Sequence, residues 1–387
     1  TTFHIPNPTP AKAISTMRIR RTTIPALGAL LAAGLVLSAC STPSTPTGEN
    51  SAASGDTAAI LALADEKVAE YSSPSQEFPV PTEAFDPGAG TASVIVQGSA
   101  SAVGQLNAER AVDAFEAAGW TAVGPLDGEF SAPVTGGFID AAVQDGRDAI
   151  VLISVTLADV SQSVNNALDA GIAISCVMCS YDAAIADAGV LYSTIDFELQ
   201  GEILGWYFIQ ASGATGRIAN AEDPAVGATT MRTAGVSSVI TENCSTCTLL
   251  DNIVIPSSDI ALPGPPQWSA YLSSNPAGSD LYVNSMADVV GIPMAKTLVS
   301  IGREDVKIGG FDADAEAIEM IRAGDTPFIG TVALPYYWAS WAAVDLVTRQ
   351  TAGVPTWDAS NLPLQLVTLE SVSSFDEFVP EGDWQGA

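Results

Sequence analysis

The cysteines are the residues whose spacing most directly suggests chemistry. Of five cysteines, four form two Cys-x-x-Cys pairs, Cys176 with Cys179 and Cys244 with Cys247. In an exported protein, thiols this close along the chain oxidise readily, so we expect two local disulfides. A zinc site built from all four is an alternative, but the gap between the pairs exceeds that of ordinary zinc ribbons. A redox-active pair is a second alternative, but neither Val-Met nor Ser-Thr is the usual intervening dipeptide.

Other catalytic residue types are scarce or cannot be paired. The one histidine, His4, precedes the first methionine, Met17. A chain that starts at Met17 would lack a Ser-His-Asp triad, a histidine metal ligand and a histidine acid-base group. Glycosidases need two carboxylates facing one bond, and only Asp312 can be placed at a predicted ligand site. We therefore expect no catalytic residue, no metal and no cofactor.

The net charge limits the partners. Asp and Glu number 44 against 14 Lys and Arg, which gives a formal charge of −30. Nucleic acids and anionic lipid surfaces bind proteins through basic side chains, so we expect neither to bind this surface. Hydrophobic residues make up 47% of the chain and aromatic residues only 7%. This composition is typical of a globular α/β protein.

The first forty residues have the pattern of an export signal. A basic run at 17–21 precedes an uncharged apolar stretch at 24–37, which is too short to span a bilayer. Small residues then lead to Cys40, an arrangement that resembles the lipobox of bacterial lipoproteins, in which the cysteine is acylated. We predict a signal peptide over 17–39, a non-native upstream segment over 1–16, and a lipidated Cys40 that anchors the protein on the outer side of the cell membrane. An ordinary secretory signal is the alternative.

A polar segment separates this signal from the folded body. Residues 41–56 are mostly Ser, Thr, Pro, Gly and Ala, and apolar residues then recur at helical spacing over 57–71. Four prolines follow between 74 and 87 and interrupt regular structure. We predict a lipid-anchored tether with one short helix over residues 40–90.

From residue 91 onward, short apolar runs alternate with amphipathic stretches of helical length. The first series lies at 93–96, 119–123, 149–153, 172–174 and 190–195, and the second at 217–219, 251–255, 281–283, 307–311 and 328–333. Strands that alternate with helices predict parallel sheets covered on both faces. The repeated plan predicts two α/β lobes. Because ligands bind beyond the carboxyl ends of such strands, we expect one site between the lobes.

Two segments carry a resemblance to a known family. Residues 307–313, Lys-Ile-Gly-Gly-Phe-Asp-Ala, enter a helix, and residues 330–335, Gly-Thr-Val-Ala-Leu-Pro, follow it. With the two-lobe plan, they resemble the ribose-type periplasmic binding proteins over most of residues 91–370. The resemblance implies two doubly wound parallel-sheet lobes joined by a hinge that the chain crosses three times. It also implies capture of a small polar ligand, such as a sugar or polyol, and its delivery to the membrane permease of an ABC importer.

By the same analogy, the first lobe comprises residues 91–195 and 335–352, and the second comprises 196–334 and 353–387. We expect a monomer. One alternative is an extracellular receptor that presents its closed form to a membrane signalling partner, and another is a binder of a non-sugar small molecule. Bacterial repressors share the fold, but the lipobox and the acidity argue against that function.

The resemblance also assigns candidate ligand residues. Asp312 stands where the family has an aspartate that accepts hydrogen bonds from ligand hydroxyls, although the same residue can cap the following helix. The other candidates are polar or aromatic residues at strand ends and at the hinge: Ser99, Ser101, Gln105, Arg232, Asn284, Ser285 and Tyr336. Tyr336 would offer an apolar face, and Trp268 is a weaker candidate. The polar candidates can alternatively be loop, cap or surface residues.

The sequence departs from the sugar-binding pattern at several positions. Val103 and Gly104 occupy the first loop, where sugar binders usually place stacking aromatics. The fourth strand ends in residues 176–179 in place of an Asp-Arg pair. The ligand-binding arginine of the family aligns with Ala234, which leaves Arg232 as a substitute. The identity of the ligand is therefore not predicted.

Overall fold

The structure is a computed structural model of the chain. It describes residues 49–375, except 74–77, 80, 82, 261 and 263, and the side chains from residue 57 onward. The predicted signal peptide, the upstream segment and Cys40 lie outside the described residues. In the described part of the chain, no helix is both long enough and apolar enough to cross a membrane.

Five parallel strands form the sheet of the first lobe. They are β1 (Thr91–Val96), β2 (Thr121–Asp127), β3 (Ala149–Ile153), β4 (Ala173–Val177) and β5 (Leu191–Ser193), in the order β2-β1-β3-β4-β5. The central strands are buried along almost their whole length, because helices cover both faces of the sheet. These helices are α2 (Ala102–Ala117), α3 (Ala132–Asp145), α4 (Ser161–Asp169) and α5 (Ala183–Asp187), with a 3₁₀ turn at Leu157–Val160.

The second lobe contains a larger sheet. Its strands are β6 (Arg217–Glu222), β7 (Thr248–Leu249), β8 (Ile253–Val254), β9 (Leu281–Asn284), β10 (Val306–Asp312), β11 (Phe328–Ala333) and β12 (Gln365–Thr368). Their order is β12-β11-β10-β9-β6-β7, and β8 also pairs with β6. Only β12 runs antiparallel to its described neighbour. The helices are α6 (Phe197–Ala211), α7 (Gly227–Asn243), α8 (Pro266–Ser274), α9 (Asp288–Ile301) and α10 (Ala315–Ala323), with a 3₁₀ turn at Ser257–Asp259.

The chain passes between the two sheets three times. It leaves β5 for α6, and after β11 it returns as α11 (Tyr336–Ala352), which packs on the first sheet. Two buried serines of that sheet, Ser175 and Ser193, donate to main-chain oxygens of α11 at 3.0 and 2.7 Å. The chain then crosses again to β12. The predicted fold of two parallel-sheet lobes is confirmed, whereas the residue boundaries given for the lobes remain a prediction.

An additional helix, α1 (Glu49–Tyr71), precedes the two lobes. It packs against α6 through buried Ala64 and Val68, and Gln210 Nε2 donates to Asp65 Oδ1 at 2.8 Å. The helix begins earlier than the predicted residue 57, because alanines at 52 and 53 favour helix and no proline interrupts the segment.

Candidate ligand-binding site

A cavity of about 270 Å³ lies between the lobes, at the carboxyl ends of strands from both sheets. The first lobe contributes the loops that follow β1, β3 and β4, including Gly98, Ser154 and Met178. The second lobe contributes the end of β10 and the first turns of α7. The volume is slightly below the range of roughly 300–1,000 Å³ that is usual for ligand pockets, so only a small molecule fits.

An ion pair forms the base of the cavity on the side of the second lobe. Arg232 Nη2 donates to Asp312 Oδ1 at 2.8 Å, and the two side chains are only 6% and 13% exposed. Arg232 also donates from Nε to Gln200 Oε1 and from Nη1 to the main-chain oxygen of Met286, both at 2.7 Å. The other carboxylate oxygen of Asp312 has no hydrogen-bond partner among the residues described. The Arg232 guanidinium is thus hydrogen-bonded within the protein, while one carboxylate oxygen of Asp312 remains available to accept a hydrogen bond from a ligand.

Close packing of α6 and α7 sets the position of Arg232. A Cβ atom on Gly201 would lie 2.0 Å from the main-chain oxygen of Arg232, and one on Gly235 would lie 2.0 Å from that of Glu198. Glycine at both positions permits this approach of the two backbones. Arg232 therefore extends into the cavity wall from helix α7, which packs tightly against α6.

The backbone at Asp312 has an unusual conformation. Asp312 and Ala313 have φ angles of 110° and 60°, which residues with a side chain rarely adopt. Burial raises the pKa of Asp312, and the adjacent Arg232 opposes this rise. Positive φ angles of this kind are concentrated at binding and catalytic sites.

A second carboxylate lies directly behind Asp312. Asp288 is fully buried and accepts hydrogen bonds from Thr331 Oγ1 at 2.9 and 3.0 Å and from the amide of Asp314 at 3.0 Å. Burial, and then repulsion by Asp314 and Asp312, raise the pKa of Asp288 well above its ordinary value. Burial also raises the pKa of Asp314 to about 7. These shifts reduce the negative charge behind Asp312 near neutral pH.

Tyr336, the first residue of α11, lines the cavity at the hinge. It is 8% exposed, and its hydroxyl is buried with no hydrogen-bond partner in the described structure. Burial, followed by the proximity of Asp312, raises the pKa of Tyr336 well above its ordinary value, so the group is a neutral phenol. A buried hydroxyl costs free energy unless a ligand or water bonds it. The Tyr336 hydroxyl is therefore a buried polar group without a partner beside the cavity, in addition to the predicted apolar face.

The first lobe supplies an aromatic residue that the sequence analysis missed. Phe130 follows β2 with a φ of 51°, and its amide donates to the main-chain oxygen of Gln97 at 2.7 Å. Its ring covers Gly98, where a Cβ atom would lie 2.1 Å from the ring. Although the first loop carries Val103 and Gly104, the neighbouring loop thus provides an aromatic ring to the cavity wall.

The Cys176–Cys179 disulfide lies at the carboxyl end of β4, beside the cavity. Met178, inside this short loop, has a φ of 51° and contributes to the wall, and Tyr181 follows it. The Cys244–Cys247 disulfide lies after α7 and does not line the cavity. Both predicted disulfides are present. The described residues contain no group of three or more side chains that could hold a metal ion.

The structure brings four of the eight predicted ligand residues to the cavity wall. These are Ser101, Arg232, Asp312 and Tyr336. Ser101 also caps α2, because its side-chain oxygen accepts a hydrogen bond from the amide of Gly104 at 3.2 Å. Their contact with a ligand remains a prediction.

The other four lie outside the wall, and their polar groups bond within the protein. The amide of Ser99 donates to Asp127 at 3.0 Å, its hydroxyl bonds the same carboxylate, and Gln105 donates to Glu109 at 2.9 Å. Asn284 donates to Asn220 at 3.1 Å, and Ser285 donates to the main-chain oxygen of Gly309 at 3.0 Å. Trp268 is fully buried in the second lobe. Successive side chains along a strand point to opposite faces of the sheet. The sequence alone therefore did not show which residue near each strand end points into the cavity.

Two parallel-sheet lobes around one small cavity define a two-lobed binding protein. A family profile described as periplasmic binding protein domain matches residues 89–354. The chain belongs to this family. No curated protein sequence matches the chain.

Solved structures share the fold at low sequence identity. An ABC transporter solute-binding protein from Agrobacterium vitis with bound allitol is 18% identical, with a TM-score of 0.65 over 74% of this chain and 97% of that chain. A periplasmic solute-binding protein from Actinobacillus succinogenes with bound D-allose is 16% identical, with a TM-score of 0.64 over 74% and 100%. The 5-methylthioribose transporter solute-binding protein from Thermotoga lettingae is 15% identical, with a TM-score of 0.66 over 76% and 90%.

Proposed function

We propose that this protein is the extracytoplasmic solute-binding component of an ABC importer and that it binds a small polar molecule, a sugar or a polyol, between its lobes. The observation that carries the proposal is the cavity at the carboxyl ends of both sheets, with the Asp312–Arg232 pair at its base. Similar structures with bound allitol and D-allose support this ligand class.

The site performs no chemistry in this proposal. Asp312 accepts hydroxyl hydrogen bonds through its second oxygen, the Tyr336 hydroxyl bonds the ligand from the hinge, and Ser101 approaches from the first lobe. Because these residues come from both lobes and the hinge, a ligand bonded to all three stabilises the closed form over the open form. The closed form is then presented to a membrane permease.

Isothermal titration with a panel of sugars and polyols tests the proposal, with small-angle X-ray scattering as a second readout. We expect at least one compound to bind and to decrease the radius of gyration. Absence of binding by every compound, with the fold intact by circular dichroism, would contradict the proposal.

We further propose that Cys40 carries the lipid that holds the protein at the outer face of the membrane. The support is the apolar stretch at 24–37 followed by small residues and Cys40. Expression of the full chain in a bacterial host tests this. The wild type should fractionate with membranes, and Cys40→Ala should appear in the released fraction. Equal fractionation of the two proteins would contradict lipidation.

A further inference from the structure

Charge is the first constraint on the ligand. In the described wall, the charged side chains are Arg232, Asp312 and Asp182. Arg232 makes three hydrogen bonds within the protein, and Asp182 accepts hydrogen bonds from two amides at the start of α5. An anionic ligand would therefore find no uncommitted cation here and would face Asp312 at a large desolvation cost. A cationic ligand would compete with Arg232 for Asp312.

The rest of the wall is the second constraint, because much of it is apolar. Side chains of this kind come from both lobes and include Phe130, Leu157, Met178, Ile185, Val226 and Ile260. Ligand hydroxyls that face these side chains would lose hydrogen bonds to water and gain none from the protein. Alkyl or aryl groups in the same position would gain from leaving water.

Burial distinguishes the ion pair at the base of the cavity from the exposed aromatic side chains of its wall. Arg232 and Tyr336 are 5% and 8% exposed, whereas Phe130 and Tyr181 are 37% and 52% exposed. Arg232 and Asp312 therefore lie at the base, and the Phe130 ring lies at the rim on the first lobe. Tyr181 lies on the other side of that lobe, because it follows β4, which β1 and β3 separate from β2, and its ring packs on Tyr192. A small molecule bonded to Asp312 at its deep end can extend its opposite end toward the Phe130 ring.

We propose that the ligand is an uncharged, amphipathic sugar or polyol, with hydroxyls bound at Asp312 and an alkyl, alkylthio or aryl group packed against Phe130. This inference rests on the proposed function and narrows its ligand class.

Isothermal titration with matched sugars tests the inference. The probes are D-ribose and D-glucose, their methyl and isopropyl β-glycosides, and their terminal methylthio-deoxy derivatives, so that the apolar group stands at either end. Ribose 5-phosphate and glucuronate are the charged members. We expect the best substituted sugar to bind at least about tenfold more tightly than its parent. We expect the charged sugars to bind at least about tenfold more weakly than their uncharged counterparts.

Phe130→Ala locates the apolar contact. Phe130→Ala should weaken binding of the best substituted sugar about tenfold, and by a clearly larger factor than it weakens binding of the parent sugar. Val299→Ala, which removes an exposed apolar side chain outside the cavity wall, is the matched control and should change neither.

The outcomes separate the two proposals. If unsubstituted sugars bind as tightly as every substituted one, or if a charged sugar binds most tightly, the inference is overturned and the proposed function stands. The same holds if Phe130→Ala weakens binding of the parent and the substituted sugars equally. If no member of the panel binds the folded protein, the sugar-binding proposal fails and the inference fails with it.

Discussion

The two lobes hold their sides of the cavity by different physical means. The second lobe relies on buried polar groups, in which Arg232 bonds to Asp312 and to the main chain at Met286, and Asp288 accepts a hydrogen bond from the amide of Asp314. The first lobe has no such network among its described wall residues, and positive φ angles at Phe130 and Met178 set its loops, as they also do at Asp312 and Ala313 in the second lobe. The Cys176–Cys179 disulfide adds a covalent constraint to the first lobe.

This difference has a consequence for substitutions. In the second lobe, the groups that would bind ligand also satisfy buried charges, so affinity and stability should change together. In the first lobe, exposed or short-loop residues form the wall, so affinity should change with a smaller effect on stability. The first lobe is therefore the side on which ligand selectivity can vary.

Removal of the buried cation should have the largest effect. Arg232→Ala leaves the Asp312 carboxylate and the Gln200 side-chain oxygen without their shared donor, and we expect a loss of about 3–5 kcal/mol in the free energy of unfolding. Urea denaturation measures this loss. Arg322→Ala is the control, because Arg322 pairs with Glu319 on the surface, and its effect should be below about 1 kcal/mol. Similar losses of unfolding free energy in Arg232→Ala and Arg322→Ala would contradict a larger contribution of the buried ion pair to stability.

The pH dependence of stability should report the same network. Burial raises the pKa of Asp314 from 3.8 to about 7, so the folded state binds a proton that the unfolded state releases between these pH values. This contribution to stability is fully present below pH 3.8 and is lost as the pH rises through about 7. The unfolding free energy of Asp314→Asn relative to wild type should therefore increase between pH 4 and pH 7, about the interval set by the two pKa values.

Asp305 provides the opposite case. Hydrogen bonding by Arg303 lowers the pKa of Asp305 to about 2, so its contribution is present above its ordinary pKa of 3.8 and is lost as the pH falls toward about 2. The difference between Asp305→Asn and wild type should stay constant above pH 4, slightly above that ordinary value. If the unfolding free energies of wild type and Asp314→Asn change with pH in parallel, the raised pKa of Asp314 is contradicted.

The two disulfides compare a loop at the cavity with a loop away from it. In the chain-entropy account, each closes a short loop and should contribute about 1–2 kcal/mol. Cys176→Ala/Cys179→Ala and Cys244→Ala/Cys247→Ala should therefore lose similar stability by thermal unfolding. Only the first double variant should weaken ligand binding, because Met178 lies inside that loop. Equal affinities in the two variants would contradict a role for the cavity loop in binding.

Two glycines test the aromatic rim with a smaller expected effect. A Cβ atom at Gly98 would overlap the Phe130 ring, whereas a Cβ atom at Gly137 would meet no atom within 4 Å. Gly98→Ala should displace the ring and weaken binding of a substituted sugar by about threefold to tenfold. Gly137→Ala, in helix α3, should leave affinity unchanged and stabilise the protein by up to about 1 kcal/mol. Unchanged affinity in Gly98→Ala would contradict the position of Phe130 at the ligand.

The sequence was sufficient to predict the two-lobe parallel-sheet fold, because alternating apolar runs and helical stretches are a local signal. It also predicted Arg232 and Asp312 as ligand residues, and in the structure their side chains form an ion pair at the cavity. It did not reveal the Phe130 contact, because that contact depends on the pairing of β1 with β2. The burial of Asp288 against Thr331 was missed for a similar reason, since the two residues are brought together only by the packing of α9 on β11.

The most direct test of the central claim is the affinity of Asp312→Ala for the sugar or polyol that binds the wild type best. Asp312 offers its free oxygen at the base of the cavity, so we expect isothermal titration to show a loss of about 1.5–3 kcal/mol. Asp312→Asn, which keeps the shape of the side chain, checks that the loss does not come from misfolding, and Glu319→Ala is the surface carboxylate control. An unchanged affinity in folded Asp312→Ala would contradict the account and would leave Asp312 only its structural bond to Arg232.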